Sequence, residues 1–487
     1  MASFVARLQR HAWATPTVLL AIVVVMAASV ARAFTTDPLG SADEPAHLDY
    51  ALQVWHGHLP LFADGLRNTV PFGAHPPVQW VAQHPPLFYL VLAPIVGPAW
   101  DSGHVLVAVM LGRLCSVVFA GLLVPASAWA AARCFPDARR LPSAVGVVVA
   151  LTGIVVVQGG SIYNDSLYAV LCALAAGVAG AALRSGLGPR LLVGGVLVGA
   201  AGMTTRLSFG IWLAAIVVAF LLARRVRLGA LRGIGGRIVA GIAPLVAAAA
   251  ASGWFYLRNR EVAGSFSGRP TGWAGHVPRE KRSDLQVAVD PEFWRGIYGV
   301  FRGALDPLSA VPWLLLVVPV LLAVVAMVLH GVLRRRSLPR GGDALRTALV
   351  VAMLAVVTVL FTVAELRYVA GGGGAINRYV LTVVVPVAFL VAAGLVSWGR
   401  ASACFLVAWS ALAVVPSVSL VTFSGVAMLP HSGAVGTLAF VVSMAALVLA
   451  LLAFVLAERH RPDGPASRGA GRRSAGRGGS VSGARPG

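Results

Sequence analysis

Long runs of apolar residues dominate this sequence and limit what the chain can fold into. A run of roughly 18 or more such residues is long enough to cross a lipid bilayer as a helix, and about twelve runs are candidates. They lie near residues 14–34, 104–132, 142–158, 165–183, 190–203, 207–223, 238–256, 309–332, 347–365, 379–397, 401–421 and 435–457. Charged residues make up only 12% of the chain, against about 25% in soluble domains. The sequence therefore predicts an all-α polytopic membrane protein.

The arginines predict how these helices are oriented. Loops on the cytoplasmic side of a membrane carry an excess of positive charge. With the N-terminus inside and about twelve spans, the whole formal charge of +21 falls on inner segments, and the outer charges cancel. Segment 1–13 and the basic tail 458–487 are then cytoplasmic, in a protein of the cell membrane. The tail is rich in Gly, Ser and Arg and should be disordered. Topology and attraction to anionic lipid explain its charge, so we predict no nucleic-acid partner.

Two long segments, 35–103 and 257–308, are predicted on the outer face of a single domain that spans 14–457. Inside the first lies an apolar stretch at 87–99, which contains two prolines and follows two more. At about 13 residues it has the length typical of re-entrant or interfacial segments. Counting it as a span would also move the arginines that follow it to the outer side. We therefore predict that it lies in or on the outer leaflet.

The first outer segment opens with residues that favour the start of a helix. Ser41 and Glu44 have the spacing of a capping box, and Pro45 suits a first helical turn. An apolar stripe with helical spacing follows at Leu48, Ala51, Leu52 and Trp55. This pattern predicts a short helix that lies flat on the outer surface.

Asp43 and Glu44 would stand at the start of that helix, just above the membrane. One interpretation is that they only cap the helix and complement its dipole. The other is that one of them acts as a general base or a metal ligand beside a lipid-borne substrate. Five histidines in the same segment offer no convincing ligand set. The sequence therefore leaves a divalent metal open and indicates no other cofactor.

Further candidate residues lie at the outer ends of other spans. His84 precedes a proline pair that fixes an extended entry into the apolar stretch. Asp165 follows Asn164 and either caps a span or lines the same outer site. Arginine suits bidentate binding of phosphate, although it also anchors spans at lipid headgroups. Arg113 lies about two turns inside its span, where a charge is costly and usually functional or paired. The other arginines at these ends are Arg206, Arg258, Arg260, Arg367 and Arg378.

Several activities lack support in the sequence. Acidic residues are absent from the middle of the predicted spans, whereas proton-coupled transporters usually need buried ionisable groups there. The sequence has no P-loop, no G-x-S-x-G and no H-E-x-x-H motif. ATP hydrolysis and metalloprotease chemistry are therefore not indicated.

A set of short motifs resembles the GT-C superfamily of membrane glycosyltransferases, which includes the protein O-mannosyltransferases and the aminoarabinose transferases of lipid A. The motifs are the acidic run Asp43–His47, the H-P-P-L-F-Y element His84–Tyr89, the span start Leu111–Ser116, the element Gly253–Asn259, and Asn377–Tyr379 with Pro386. They extend over residues 10–400 and are especially similar to a bacterial GT-C-related group with no settled activity. The chain departs from the pattern at Asn377, usually glycine, and at Arg206, where many relatives have lysine.

The resemblance implies an inverting transfer of a sugar from a polyprenyl-phosphate donor to an envelope glycan, lipid or protein on the outer face. Asp43 or Glu44 would take the proton of the acceptor hydroxyl. Arg258 and Arg378, with His84 or Arg206, would stabilise the departing phosphate. The residues that the resemblance places at the donor phosphate or in its cavity are His84, Arg113, Asp165, Arg206, Arg258, Arg378 and Tyr379.

Two other classes of function remain open on the sequence. A transporter or flippase of lipid-linked saccharide would use the same outer arginines, but it would need alternating access, and no internal repeat is visible. A non-catalytic subunit of a cell-envelope assembly would need none of the proposed chemistry. Another kind of envelope polymerase or ligase is a further alternative.

Overall fold

A computed structural model describes residues 14–41, 43–229, 233–270, 273, 279–301, 310–333, 342–419 and 429–459. Regular structure in these residues is helical, apart from one isolated bridge between Leu187 and Val226. The predicted segment 1–13 and nearly all of the predicted tail 458–487 lie outside the described residues. The predicted all-α class is confirmed.

The helices include long apolar segments and shorter ones that lie between them in the first two thirds of the chain. In order they are α1 (Pro16–Thr35), α2 (Glu44–Trp55), α3 (Leu87–Asp101), α4 (Val105–Cys134), α5 (Leu141–Ala150), α6 (Gly153–Gly159), α7 (Asp165–Ser185), α8 (Pro189–Met203), α9 (Gly210–Leu221), α10 (Gly233–Ala263), α11 (Asp284–Ala288), α12 (Pro291–Tyr298), α13 (Val311–Leu333), α14 (Gly342–Ala370), α15 (Val384–Val396), α16 (Ser402–Ser419) and α17 (Ser432–Arg459). Short 3-10 helices lie at Phe62–Asp64, Trp80–Gln83, Leu207–Phe209, Asn377–Val383 and Gly399–Ala401.

Nine helical segments among the described residues are long and apolar enough to cross a membrane. They contain α1, α4, α7, α10 and α13 to α17. The pair α5 and α6 passes the same criterion when taken together, with a bend of 59° between its halves. The shorter helices α8 and α9 coincide with the remaining predicted spans. The protein is therefore a multi-pass membrane protein whose helices follow the apolar runs of its sequence.

The bend between α5 and α6 leaves backbone groups that need partners inside the protein. Thr152 at the break donates its hydroxyl to the Val148 carbonyl at 2.8 Å. The amide of Ile154 donates to the Val300 carbonyl at 3.1 Å. Such partners are required because the bilayer core contains no water to form hydrogen bonds with the free backbone groups of a broken helix.

Small residues allow α4 and α7 to pack closely. A Cβ atom added at Gly177 would lie 2.0 Å from the ring of Trp129, and one added at Gly180 would lie 2.3 Å from the sulfur of Cys134. Any larger residue at either position would force the helices apart. Close approach through small residues is the usual way in which membrane helices associate, and here it joins the second half of α7 to the last turns of α4.

The helix predicted at the start of the first outer segment exists, but it does not lie on the surface. Every residue of α2 from Glu44 to Gln53 is buried, including polar residues that the apolar stripe left outside it. Asp49, for example, accepts hydrogen bonds from the backbone amides of Arg67 and Asn68 at 3.1 and 2.8 Å. The prediction of a flat surface helix was wrong because the rest of the segment folds over the polar face.

The predicted capping box at Ser41 and Glu44 is also not formed. The helix begins at Glu44 with Asp43 as its N-cap residue, and Asp43 makes no side-chain cap. The hydroxyl of Ser41 lies 3.3 Å from that of Ser161 instead. The side chains of Asp43 and Glu44 pair with arginines instead, because buried carboxylates are most stable opposite arginine.

The apolar stretch predicted to be re-entrant forms α3, a helix of 15 residues. It packs against α2 on one side and α4 on the other. Gly97 permits this contact, since a Cβ atom there would lie 2.3 Å from the ring of Trp55. Its length is below that of the spanning helices, and its place in the outer leaflet stays a prediction.

An apolar cavity of about 1200 Å³ lies between α13, α14 and α15. Its lining extends from Tyr298, at the end of α12, to Arg139, in the link between α4 and α5. The side chains along it include Leu321, Val324, Leu354, Val387, Leu390 and Ala393. It therefore follows the membrane-spanning helices over much of their length.

Candidate functional site

Two acid–arginine ion pairs meet at one end of the helices. Asp43, before α2, pairs with Arg378 in the 3-10 helix Asn377–Val383, and Asp165, the first residue of α7, pairs with Arg206 after α8. We call these four residues the ion-pair cluster. Their side chains are only 1 to 15% exposed. Asp165 also acts electrostatically on Arg378, so the two pairs form one charged group.

Tyrosine rings hold the two guanidinium groups of the ion-pair cluster. The guanidinium carbon of Arg378 lies 5.2 Å from the centre of the Tyr163 ring and 5.3 Å from that of Tyr379. That of Arg206 lies 5.4 Å from the Tyr168 ring. Contacts of this kind favour a positive charge in a site with little water.

Asp43 is held at this place by its backbone as well as by its side chain. Its amide donates to the hydroxyl of Tyr163 at 3.2 Å. Tyr163 lies in the connection between α6 and α7, where burial raises the pKa of its hydroxyl and keeps it protonated. The start of the first outer segment is thereby fixed against the start of α7.

Buried histidine and tyrosine rings border the ion-pair cluster. The Nδ1 atom of His47 lies 2.9 Å from the Tyr89 hydroxyl, and the His47 ring centre lies 4.9 Å from that of Tyr163. The His84 ring is parallel to the His47 ring at 6.4 Å, and Tyr50 donates to the His84 carbonyl at 2.9 Å. Burial lowers the pKa of His47 to about 3 and that of His84 well below its usual range. At neutral pH both rings are uncharged, so His84 offers hydrogen bonds but no positive charge.

Glu44 and Arg113 form a separate, fully buried ion pair. The Nε and Nη2 atoms of Arg113 each donate to one carboxylate oxygen of Glu44 at 2.7 Å. The amide of Ile162 donates to the same carboxylate at 3.0 Å. Arg113 also donates to the backbone carbonyls of Ala33, Thr36 and Asp37 at 2.7, 3.0 and 2.7 Å. Both Glu44 oxygens are thus occupied within the protein.

Arg258 lies apart from the carboxylates in the structure. Its Nη2 atom donates to the carbonyl of Pro60 at 2.9 Å, and its guanidinium carbon lies 5.8 Å from the Phe255 ring. Among the described residues it forms no ion pair. Arg258 therefore connects α10 to the first outer segment, and the structure does not bring it into contact with Asp43 or Asp165.

Two residues near the ion-pair cluster were not predicted as site residues. Glu365, near the end of α14, is within electrostatic range of Arg206, Arg269 and Arg378. Arg269 donates from Nε to the Oε1 atom of Gln83 at 2.6 Å. An acid in the last turns of an apolar helix is a usable sequence signal, since a charge there is costly. Arg269 gave no such signal, because it lies in a long polar loop.

The described residues contain no group of three or more His, Cys, Asp or Glu side chains arranged to hold a metal ion. The two carboxylates of the ion-pair cluster face arginines instead of one another. The site residues predicted from the sequence thus divide into three sets. Asp43, Asp165, Arg206, Arg378 and Tyr379 come together, with His84 beside them; Glu44 and Arg113 form their own pair; and Arg258 lies on a loop.

No family model and no curated protein matches this chain. Among solved structures, it is similar to ArnT from Cupriavidus metallidurans bound to undecaprenyl phosphate, at 13% identity and a TM-score of 0.46, over 91% of this chain and 77% of that one. It is also similar to the oligosaccharyltransferase AglB from Archaeoglobus fulgidus in complex with an inhibitory peptide and a dolichol-phosphate, at 12% identity and a TM-score of 0.43. That match covers 89% of this chain and 55% of the archaeal one, so the chain spans about half the archaeal enzyme's length. Both are members of the GT-C superfamily, which the sequence motifs of this chain resemble.

Proposed function

We propose that this protein is a membrane glycosyltransferase that transfers a sugar from a polyprenyl-phosphate donor to an envelope acceptor on the outer face of the cell membrane. The observation that supports it most is the ion-pair cluster. Arg206 and Arg378 lie almost out of water at the ends of membrane helices, each neutralised by a carboxylate. A phosphate on a lipid tail is the anion that would reach arginines at this depth.

Donor binding would exchange partners within the ion-pair cluster. Arg378 and Arg206 would turn from Asp43 and Asp165 to the oxygens of the phosphate, which guanidinium groups bind through charge-assisted hydrogen bonds. Asp43 would then lose its positive neighbour, which makes its carboxylate a stronger base. The exchange would therefore couple occupancy of the phosphate site to activation of the base.

The transfer would proceed as a single inverting displacement. The acceptor hydroxyl oxygen forms a bond to the anomeric carbon of the sugar, and the bond from that carbon to the phosphate oxygen breaks. Asp43 takes the hydroxyl proton, while the electron pair of the broken bond remains on the polyprenyl phosphate. Arg378 and Arg206 stabilise the charge that develops there. His84, uncharged at neutral pH, would donate a hydrogen bond to the phosphate or the sugar.

The other predicted site residues would position these groups. Glu44 has both carboxylate oxygens occupied by Arg113 and Ile162, so in this proposal it orients the start of α2 and Asp43 is the base. Arg258 would keep the first outer segment closed over the site. Tyr379 would hold the guanidinium of Arg378.

The apolar cavity between α13, α14 and α15 supports a lipid-linked donor. Pro386 and Val387 line it two turns after Arg378, on the helix that follows the 3-10 helix Asn377–Val383. A polyprenyl chain there would place its phosphate towards the ion-pair cluster. The predicted orientation, with both termini cytoplasmic, places this cluster outside.

The proposal is tested with the full-length protein in proteoliposomes, supplied with radiolabelled polyprenyl-phosphate sugars and an envelope extract from cells that lack the gene. Transfer of label to the extract is expected for the wild-type protein. Asp43→Asn should lower the rate by at least a hundredfold, in the range typical of a lost general base. Asp101→Asn is the matched control, because Asp101 is a half-exposed acid of the same outer segment that bonds Trp55 and His56.

Each outcome of this assay separates the candidate functions. Label transfer that Asp43→Asn leaves unchanged would refute the catalytic role of Asp43. Movement of labelled donor between leaflets without transfer would identify a flippase. The absence of both activities, in protein that retains its fold, would favour a non-catalytic subunit.

A further inference from the structure

Glu365 is a buried acid that the proposed transfer does not use. It lies near the end of α14, and its Oε2 atom is buried with no hydrogen-bond partner among the described residues. The charges of Arg206, Arg269 and Arg378 all act on its carboxyl group. A buried polar atom without a partner is costly unless water or a ligand satisfies it.

Glu365 differs from the neighbouring acidic residues in its contacts with arginine. Asp43, Asp165 and Glu44 each face an arginine directly. Glu365 forms no such pair within the part of the chain that the structure describes, although the same two arginines of the ion-pair cluster are within electrostatic range. Its carboxylate is therefore available to accept hydrogen bonds from a bound molecule.

A carboxylate in this position selects against phosphate and in favour of hydroxyl groups. Phosphate oxygens, like carboxylate oxygens, mainly accept hydrogen bonds and therefore offer this group no donor. A phosphate bound by Arg206 and Arg378 would lie near Glu365 but would not contact it directly. The group attached to that phosphate would lie next to the carboxylate, and a sugar attached there carries hydroxyls that donate to carboxylate oxygens.

Aromatic side chains stand beside Glu365. Tyr368 follows it by three residues on α14, and residues with this spacing share a helix face. The Tyr368 ring lies 5.8 Å from the Tyr379 ring, and the guanidinium carbon of Arg269 lies 5.1 Å from the Tyr368 ring. Arg269 also bonds Gln83, next to His84. Rings with a few convergent polar groups are typical of small-molecule sites.

Other unsatisfied polar atoms belong to the same neighbourhood. Asn164, which is fully buried, has no partner for its side-chain oxygen or nitrogen among the described residues, and neither has the Oδ2 atom of Asp165 or the Nε atom of Arg378. These atoms include both donors and acceptors. A molecule with many hydroxyl groups could satisfy them, whereas a bare phosphate offers only acceptors.

We propose that Glu365 accepts hydrogen bonds from hydroxyl groups of the sugar that adjoins the donor phosphate, in a subsite that Tyr368 and Arg269 complete. This inference rests on the proposed function. It names the part of the site that distinguishes polyprenyl phosphate with its sugar, the loaded donor, from polyprenyl phosphate that has lost it. The arginines of the ion-pair cluster bind the phosphate, which both lipids contain. Glu365 binds the sugar, which only the loaded donor contains.

The test measures binding of two kinds of lipid to the full-length protein in nanodiscs by native mass spectrometry. The probes are undecaprenyl phosphate and a panel of undecaprenyl-phosphate sugars with a hexose, a pentose or an amino sugar. Glu365→Gln should weaken binding of the best sugar-bearing lipid about tenfold, which equals about 1.4 kcal/mol, and leave undecaprenyl phosphate unchanged. Glu292→Gln is the matched control, because Glu292 is an exposed acid in α12 that bonds Arg295.

The outcomes separate this inference from the proposed function. If the wild-type protein binds none of the lipids, the proposed function itself fails. If the wild-type protein binds undecaprenyl phosphate and gains nothing from any sugar of the panel, the sugar subsite is refuted while the phosphate site stands. Equal weakening of both lipids by Glu365→Gln, or no weakening at all, also overturns the inference.

Discussion

Arg113 and Glu44 face each other through two parallel hydrogen bonds of 2.7 Å in a part of the protein where neither side chain is exposed. Arg113 belongs to α4, a membrane helix, and Glu44 is the first residue of α2. The pair fixes the first outer segment to the membrane domain at the residue next to Asp43. The side chain of Asp43 consequently reaches Arg378, which lies 335 residues later in the sequence.

Breaking this pair is expected to destabilise the protein. Arg113→Met removes the direct ion-pair partner of the buried Glu44 carboxylate and leaves Arg32 as a cation within electrostatic range. Removal of one partner of a buried ion pair costs about 3–5 kcal/mol. Thermal unfolding in detergent, followed by size-exclusion chromatography with fluorescence detection, measures the loss. The double variant Glu44→Gln with Arg113→Met removes both charges and should be more stable than Arg113→Met alone. A double variant that is less stable would contradict the charge-based explanation.

The arginines should divide into catalytic and structural groups when each is changed to glutamine. Arg378→Gln and Arg206→Gln should each lower kcat/KM for the proposed transfer by about 100 to 1000-fold, because each would remove a donor to the departing phosphate. Arg258→Gln should mainly lower thermal stability, since its guanidinium bonds the Pro60 carbonyl. A larger effect on transfer from Arg258→Gln than from Arg206→Gln, in folded protein, would contradict this division.

The buried histidines predict that stability falls in weak acid. Burial lowers the pKa of His47 to about 3 from its ordinary value of 6.5. Below pH 6.5 the unfolded chain binds a proton that the folded chain rejects, so stability decreases as pH falls from 6.5 towards 3. Between pH 7 and pH 5 this group contributes a loss of about 2 kcal/mol.

His47→Gln should therefore make the unfolding temperature less dependent on pH between 7 and 5. His84 keeps part of the dependence in this variant, because burial lowers its pKa as well. His58→Gln serves as the control, since His58 is exposed on the same outer segment. An unchanged pH dependence in His47→Gln would show that this ring is not kept neutral by burial.

Filling the apolar cavity should separate long lipid donors from short ones. Ala393→Trp places a large ring in the lining of the cavity. Transfer from an undecaprenyl-phosphate sugar should fall about tenfold or more, while transfer from a neryl-phosphate sugar, whose chain is short, should change little. Val448→Trp on the exposed face of α17 is the control. Equal loss for both donors would indicate damage to the fold instead of a blocked cavity.

The helical spans could be predicted from the sequence because hydropathy and length are local properties of the chain. The nine long helices, the bent pair and the two short helices all coincide with apolar runs. Two predictions for the start of the first outer segment were wrong, namely the flat surface helix and the capping box at Ser41 and Glu44. The partners that bury α2 and occupy Glu44 come from distant segments, so local spacing contains no information about them.

The sequence by itself determined the class of the protein, the order of its apolar helices and the small set of acids and arginines at their ends. Only the tertiary structure decided which acid faces which arginine. Asp43 meets Arg378 across 335 residues of sequence, and Glu44 meets Arg113 across 69 residues. The tertiary structure also left the Oε2 atom of Glu365 without a hydrogen-bond partner among the described residues. These pairings depend on how the helices pack, because a buried charge takes whichever counter-charge the folded backbone brings within hydrogen-bond distance.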